Sequence, residues 1–286
     1  MKNFGVYLNP NLAHRNKVND ILQAMHAKNE IHFYGIKEQQ QILPEFVKCD
    51  RDLARKKPML DCILVFGGDG TIMRAKQMAL DTGAPILGIN LGNLGFLSES
   101  DLNDVQKSLE SLFKNHYKIQ TRMLLDIELK RKGEVIVSGL ALNDAVIYKA
   151  NTPRLIEIRV KSNRRLVIDA RCDGIVASSP TGSTAYSLSA GGPILSPVMD
   201  AIVVSPLNPH ILATRPIVFP ASDTLSFKMK DLYQNAVLQI DGQNIHELEM
   251  GDEVFVTAAK QRIGFVKLSK QTFYQILRKK MHMGRL

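Results

Sequence analysis

Residues 62–71 read Cys62-Ile63-Leu64-Val65-Phe66-Gly67-Gly68-Asp69-Gly70-Thr71. The unbroken apolar run is the pattern of a strand buried on both faces. Three glycines and one aspartate follow as a turn, and Thr71 opens a helix that its hydroxyl can cap. Strand, glycine turn and helix form the repeating unit of a parallel sheet covered on both sides.

The same alternation extends outward from this stretch. Phe4 to Leu8, Ile31 to Tyr34 and Ile86 to Ile89 read as further strands, and Val18 to His26, Leu43 to Ala54 and Thr71 to Leu80 as helices. After a helix near Val105 to Phe113 the character changes to short, mostly alternating runs. These are Ile119 to Leu129, Val135 to Val137, Ala145 to Tyr148, Leu155 to Val160, Leu166 to Ala170, Leu225 to Met229, Val237 to Ile240, Val254 to Thr257 and Phe265 to Leu268. Such spacing, broken by Gly, Pro and Asn, indicates an antiparallel β domain. Phe273 to Met281 reads as a basic helix.

A chain of 286 residues accommodates one large domain or two ordinary ones. Lys and Arg outnumber Asp and Glu by 37 to 28, but only short basic runs occur, Arg55-Lys56-Lys57 and Arg278-Lys279-Lys280. A scattered surplus reads as solvated surface and names no ligand. Cys49, Cys62 and Cys172 stand far apart without a Cys-x-x-Cys pair, against a disulfide framework or structural zinc. Cys62, inside an apolar strand, reads as a buried thiol. His14, His26, His32, His116, His210, His246 and His282 show no metal-ligand spacing, so no dedicated metal site is expected. No window approaches the ~20 apolar residues of a membrane span, and no targeting segment is evident. The expectation is a soluble, cytoplasmic protein with neither a membrane nor a nucleic acid as partner.

Glycine lets backbone approach a phosphate and turn its N–H groups toward it, and a helix N-terminus favours anions. Asp69 inside such a turn needs a separate reason, because a carboxylate repels phosphates. It fits a group that takes a proton from an attacking hydroxyl, or one that holds a metal–phosphate complex. The stretch is neither a Walker A motif, which needs Lys before Ser or Thr, nor Gly-x-Gly-x-x-Gly. A second dense stretch runs Cys172-Asp173-Gly174-Ile175-Val176-Ala177-Ser178-Ser179-Pro180-Thr181-Gly182-Ser183-Thr184-Ala185-Tyr186-Ser187-Leu188-Ser189-Ala190-Gly191-Gly192-Pro193. A short strand ends in a Pro-Thr-Gly turn, followed by a helix with hydroxyls in its first turn. Its N–H groups and hydroxyls suit an anion or a ribose. A plain capped helix would account for Pro180, Gly182 and Gly191 but not for so many hydroxyls.

Gly67-Gly68-Asp69-Gly70-Thr71 resembles the signature shared by NAD kinases, diacylglycerol and sphingosine kinases and, more distantly, phosphofructokinases. That likeness implies phosphoryl transfer to a hydroxyl without choosing the acceptor. The Cys172 to Pro193 block resembles the second signature of the NAD kinase family. Asn90-Leu91-Gly92-Asn93-Leu94-Gly95-Phe96-Leu97 and Leu142-Asn143-Asp144-Ala145-Val146 are similar to two shorter motifs of that family, in the family's order. The resemblance implies an α/β N-terminal domain with a Rossmann-like parallel sheet (residues 1–100). It further implies an all-β, sandwich-like NAD-binding domain (101–268) and a C-terminal helix (269–286) returning to the first domain.

The family's pattern also implies roles. Asp69 matches the residue that takes the proton of the ribose 2′-hydroxyl as it attacks the γ-phosphate. Gly67, Gly68, Gly70 and Thr71 match contacts to ATP phosphates or the NAD pyrophosphate, with Thr181, Gly182 and Ser183 as a second phosphate-binding turn. Asn143 and Asp144 match the pair on the NAD ribose hydroxyls. Here Asp144 replaces the usual Glu and is shorter by one methylene, which alters its reach. Asp173 and the run Thr184, Ala185, Tyr186, Ser187, Leu188 and Ser189 match adenine and nicotinamide contacts, with Tyr186 as a stacking surface. Arg74, Arg154, Arg171 and Gln243 follow by spacing as further NAD contacts. Arg74 lies one turn beyond Thr71, within reach of a phosphate. Arg154 and Arg171 read equally as surface charges, and Gln243 as hairpin chemistry after Asp241-Gly242.

The resemblance implies ATP (or polyphosphate) as donor and NAD as acceptor, with Mg²⁺ or Mn²⁺ arriving on the nucleotide, and self-association to a dimer or tetramer. Two other readings stay open: a lipid or sugar kinase sharing the first motif, and a non-catalytic NAD-binding sensor.

Overall fold

A computed structural model describes residues 1–11, 15–29, 31–51, 53, 59–92, 95–150, 153–231, 236–268 and 271–282. His14, the Arg55-Lys56-Lys57 run, Ala54, Asn93 and Leu94 lie outside the described residues. Two units, Met1–Thr121 with Ile263–Leu286 and Arg122–Arg262, each carry a core of their own.

In the first unit, β1 (Asn3–Leu8), β2 (His32–Ile36), β3 (Lys48–Asp50), β4 (Cys62–Phe66) and β5 (Ile86–Asn90) form a parallel sheet in the order β3-β2-β1-β4-β5. The helices are α1 (Arg15–Asn29), α2 (Asp69–Thr82) and α3 (Val105–Phe113). A short β6 (Ser100–Asp101) pairs with β5. Strand side chains alternate between two apolar layers. Phe4, Leu64 and Leu87 share a core with Val18 and Leu22 of α1 and with Leu109 and Leu112 of α3. On the opposite side, Gly5 lies against Met78, and Gly88 against Ile72, both from α2. Every residue of β4 and β5 is therefore buried, as unbroken apolar runs require. Burial also pushes the Cys62 thiol up to about 12.

The second unit is antiparallel throughout. One sheet contains β7 (Lys118–Arg131), β8 (Glu134–Ala141), β10 (Ile156–Ser162), β11 (Arg165–Cys172), β15 (Leu225–Asp231) and β18 (Glu253–Lys267). The other runs β14-β13-β12-β9-β16-β17. Its members are β9 (Asp144–Lys149), β12 (Gly174–Ser178), β13 (Ala201–Leu207), β14 (Ile217–Pro220), β16 (Ala236–Ile240) and β17 (Gln243–Leu248). Inward residues of both sheets, among them Leu125, Ile158, Phe227 and Val256 facing Ile147, Ile175, Val204 and Leu238, form a single core. A one-turn helix, α4 (Tyr186–Ser189), follows β12. The C-terminal helix α5 (Phe273–Met281) belongs to the first unit and starts with a capping box between Thr272 and Gln275.

Several expectations need correction. Leu43 to Ala54 is not a helix: Val47 closes a turn onto Pro44, and Lys48–Asp50 pairs beside β2 as an edge strand. Leu43 and Val47 are buried at helical spacing, yet sheet pairing claims the backbone. The helix expected after Pro180 breaks into a 3-10 turn, Gly182–Thr184, and α4, separated by Ala185 at φ −102, ψ −129. Ser183 and Thr184 hydroxyls bond back to the Pro180 and Thr181 carbonyls, competing with helix propagation. Thr71 does not cap α2, which begins at Asp69 with Gly68 as N-cap. The separate runs Val254 to Thr257 and Phe265 to Leu268 are joined in one strand, β18, which ends at Lys267. Among the described residues no helix is long and apolar enough to cross a membrane.

Candidate active site

In the first unit the glycine turn stands at the carboxyl end of β4, where open parallel sheets bind ligands. The Gly67 N–H donates to Ile89 O, and the Thr71 side chain folds so closely over Gly67 that a Cβ there would overlap it. Gly68 and Gly70 have nothing within 4 Å of the position a Cβ would take, so their backbone is open to close approach. Asp69 sits in the first turn of α2, where the helix dipole favours a carboxylate. Its two oxygens accept N–H groups from the loop after β5: Oδ2 from Phe96 at 2.8 Å and Oδ1 from Leu97 at 3.1 Å. Gly95 packs against the same carboxylate, leaving no room for a Cβ. A carboxylate has about four acceptor positions, so the half-exposed Asp69 keeps acceptor capacity beyond these two bonds. Arg74, exposed on α2, interacts with the Tyr7 hydroxyl, whose pKa is raised chiefly by burial while Arg74 works to lower it.

In the second unit, Asn143 and Asp144 stand at the entry to β9, and Ser178 at the end of β12 pairs with Asp144. The Asn143 carbonyl accepts the Ser179 N–H at 2.8 Å, and a Cβ on Gly182 would collide with that same carbonyl. Only glycine lets the Pro-Thr-Gly turn lie this close to Asn143. Asp144 is 5% exposed, and burial, with the Asp241 charge second, pushes its carboxyl up to about 7. Thr181 is buried too, and its hydroxyl has no hydrogen-bond partner among the described residues.

Beside this turn lies a cavity of about 510 Å³ lined by Tyr148, Lys149, Asp173, Tyr186, Ser189 and Asn208, among others. Asp173 is ion-paired to Lys149 at 2.5 Å and accepts from Asn208 Nδ2 at 2.9 Å, and both hold its carboxyl below the usual range, Lys149 most. The cavity thus offers an ionised acid, an exposed aromatic ring and a hydroxyl, a set suited to a heteroaromatic ring bearing polar groups.

A model of the ATP-NAD kinase N-terminal domain matches residues 15–117, and one of the ATP-NAD kinase C-terminal domain matches residues 142–268. The NAD kinase of Desulforamulus reducens is 40% identical over 77% of this chain and 77% of its own length, and that of Heliobacterium modesticaldum 40% over 82% and 83%. The chain belongs to the NAD kinase family. Among solved structures, yeast NADH kinase complexed with NADH has a TM-score of 0.86 at 25% identity, covering 99% of this chain and 87% of that one. An Archaeoglobus fulgidus NAD kinase in complex with ATP shares the fold, with a TM-score of 0.73 at 21% identity and coverage of 99% and 100%.

The residues that the family's motifs mark are unequally used within the fold. Asn143, Asp144, Thr181 and Gly182 come together around one turn, and Asp173, Tyr186 and Ser189 line one cavity. The Ser183 hydroxyl donates to Pro180 O and accepts from Leu195 N, and that of Ser187 meets Ser205. Those two hydroxyls brace the turn, which answers part of the surplus noted in the sequence. Arg154 and Arg171 are exposed and Gln243 opens β17 on the surface; none of them lines the cavity. Sequence reading passes over Lys149 and Asn208, which hold Asp173, and Asp241, which holds Asn143. Among the described residues no three His, Cys, Asp or Glu side chains converge as a metal cage.

Proposed function

We propose that this chain transfers the γ-phosphate of ATP to the 2′-hydroxyl of the adenosine ribose of NAD, giving NADP. Family membership supports this, and one observation of the site carries it: a carboxylate, Asp69, at a helix start between two glycines whose backbone is open. The oxygen–phosphorus bond to the ribose forms as the bond from the γ-phosphorus to its bridging oxygen breaks, ADP leaves, and the hydroxyl proton passes to Asp69. The transfer is direct, and positioning supplies most of the catalysis. Mg²⁺ or Mn²⁺ belongs to the nucleotide substrate and neutralises phosphate charge.

In this reading Gly67, Gly68, Gly70, Thr71 and Arg74 contact phosphates, and Thr181, Gly182 and Ser183 shape a second anion-binding turn. Asn143 and Asp144 hold ribose hydroxyls, and Asp173 with Thr184, Ala185, Tyr186, Leu188 and Ser189 surrounds the bases, the buried Ser187 bracing that run. Arg154, Arg171 and Gln243 are outlying contacts. Self-association to a dimer or tetramer and a cytoplasmic location complete the proposal. The test is purified protein with ATP, Mg²⁺ and NAD, read by an NADP-specific dehydrogenase. NADP formation is expected. NAD binding without NADP would favour a sensor, and transfer only to diacylglycerol or a sugar phosphate another hydroxyl kinase.

A further inference from the structure

Asp241 and Gly242 form the two-residue turn between β16 and β17, with φ of 51° and 70°, and Ile240 pairs with Gln243 across it. A hairpin of this kind needs only residues that tolerate positive φ, and Asn or Gly would serve. The Asp241 carboxylate does more. Its Oδ2 accepts the Leu142 N–H at 2.8 Å, and its Oδ1 accepts those of Asn143 at 2.7 Å and Asp144 at 3.1 Å. In return the Asp241 N–H donates to Asp144 O at 2.9 Å. Three successive amides, close to a hundred positions away in sequence, thus converge on one side chain.

Those amides fall where the chain passes from β8 into β9, a junction that would otherwise leave buried N–H groups unpaired. The carbonyls opposite are also taken: Leu142 O by the Ser179 hydroxyl at 2.5 Å, and Asn143 O by the Ser179 N–H. The backbone of the segment is thus hydrogen-bonded on both sides. The side chains of Asn143 and Asp144, by contrast, have no hydrogen-bond partner among the described residues. Asp144 is 5% exposed, and beside it the buried Thr181 hydroxyl has no partner among the described residues, the condition of a buried polar group that a ligand completes.

We infer that Asp241 is a positioning residue for the acceptor site, holding the Asn143-Asp144 backbone so that both side chains meet the vicinal hydroxyls of the ribose. The inference rests on the proposed acceptor, NAD. Its chemistry is that of an anion gripping amides: charge-assisted bonds are stronger than neutral ones, and a carboxylate offers acceptors only. Asn at this position keeps the turn, since Asn tolerates positive φ, but turns an NH₂ group toward an N–H.

The test compares wild type with Asp241→Asn in NAD titration calorimetry and in steady-state kinetics with NAD and ATP varied separately. The expected result is a rise of at least tenfold in Kd and KM for NAD, with KM for ATP unchanged and kcat within about threefold. If the Asn variant does not fold, Asp241→Glu, which keeps the charge, is measured instead, with a smaller shift of the same selectivity expected. A folded variant whose NAD affinity stays within twofold of wild type, or whose KM rises equally for NAD and ATP, overturns the inference. Wild-type protein that neither binds NAD nor forms NADP overturns the acceptor assignment and this inference with it.

Discussion

The backbone N–H of Phe96 donates to the Asp69 carboxylate at 2.8 Å, joining the first turn of α2 to the loop after β5 across 27 positions of chain. Leu97 adds a second bond, and the Phe96 ring in turn lies 6.3 Å from that of Phe273 on α5, with the Lys280 ammonium 5.0 Å over it. Lys267 pairs with Glu99, and the Leu268 N–H donates to the same carboxylate at 2.9 Å. The C-terminal segment therefore braces the loop that braces Asp69.

Asp69→Asn keeps the side-chain volume but removes the carboxylate proposed to accept the proton. NADP formation should fall by about 10²–10⁴-fold while NAD still binds. Turnover at the wild-type rate would remove Asp69 from the mechanism.

Gly95→Ala sets a methyl group against the Asp69 carboxylate. Overpacking of this kind costs roughly 1–3 kcal/mol, and here the displaced group is the proposed proton acceptor. We expect kcat to drop at least tenfold with a modest loss of melting temperature. An unchanged kcat would mean that the carboxylate needs no fixed position.

The Asp144 carboxyl, raised from 3.8 to about 7, makes the folded state the tighter proton binder. Its contribution to stability is fully present below about pH 4 and is lost as pH rises toward 7. Asp144→Asn resembles the protonated form, so the variant should gain on wild type between pH 4 and 7, by about 1.4 kcal/mol for each tenfold change in proton affinity. Denaturant unfolding at pH 4.5, 6 and 7.5 measures this. A pH-independent difference would contradict it.

Lys149→Ala removes the cation nearest Asp173. The carboxyl should titrate at higher pH, and the cavity should lose affinity for the base proposed to bind there. We expect KM for NAD to rise severalfold at constant kcat, and Lys149→Arg to recover part of the loss. Equal kinetics in all three proteins would separate the ion pair from binding.

The strand at Cys62–Phe66 and the helix at Val105–Phe113 are legible in the sequence, because apolar runs and periodicity are local properties of the chain. The segment from Leu43 to Asp50 misleads: its apolar spacing suits a helix, while the open edge of β2 offers its backbone hydrogen bonds as a strand. Hydroxyls in the second motif read as ligand groups, yet those of Ser183 and Ser187 serve the turn itself. No sequence signal separates a hydroxyl that faces a ligand from one that faces a carbonyl.

By itself the amino-acid order pointed to candidate residues for the chemistry and to most of the runs that become strands, because composition and spacing act over a few neighbours. It singled out Asp69 from the glycines around it, and Asn143 with Asp144 from their motif. Only the folded chain decided what holds them: Phe96 and Leu97 for Asp69, Asp241 for Asn143 and Asp144, Lys149 for Asp173. Each support is a hydrogen bond or ion pair between positions distant in sequence, and its geometry exists only once the sheets have brought those positions together.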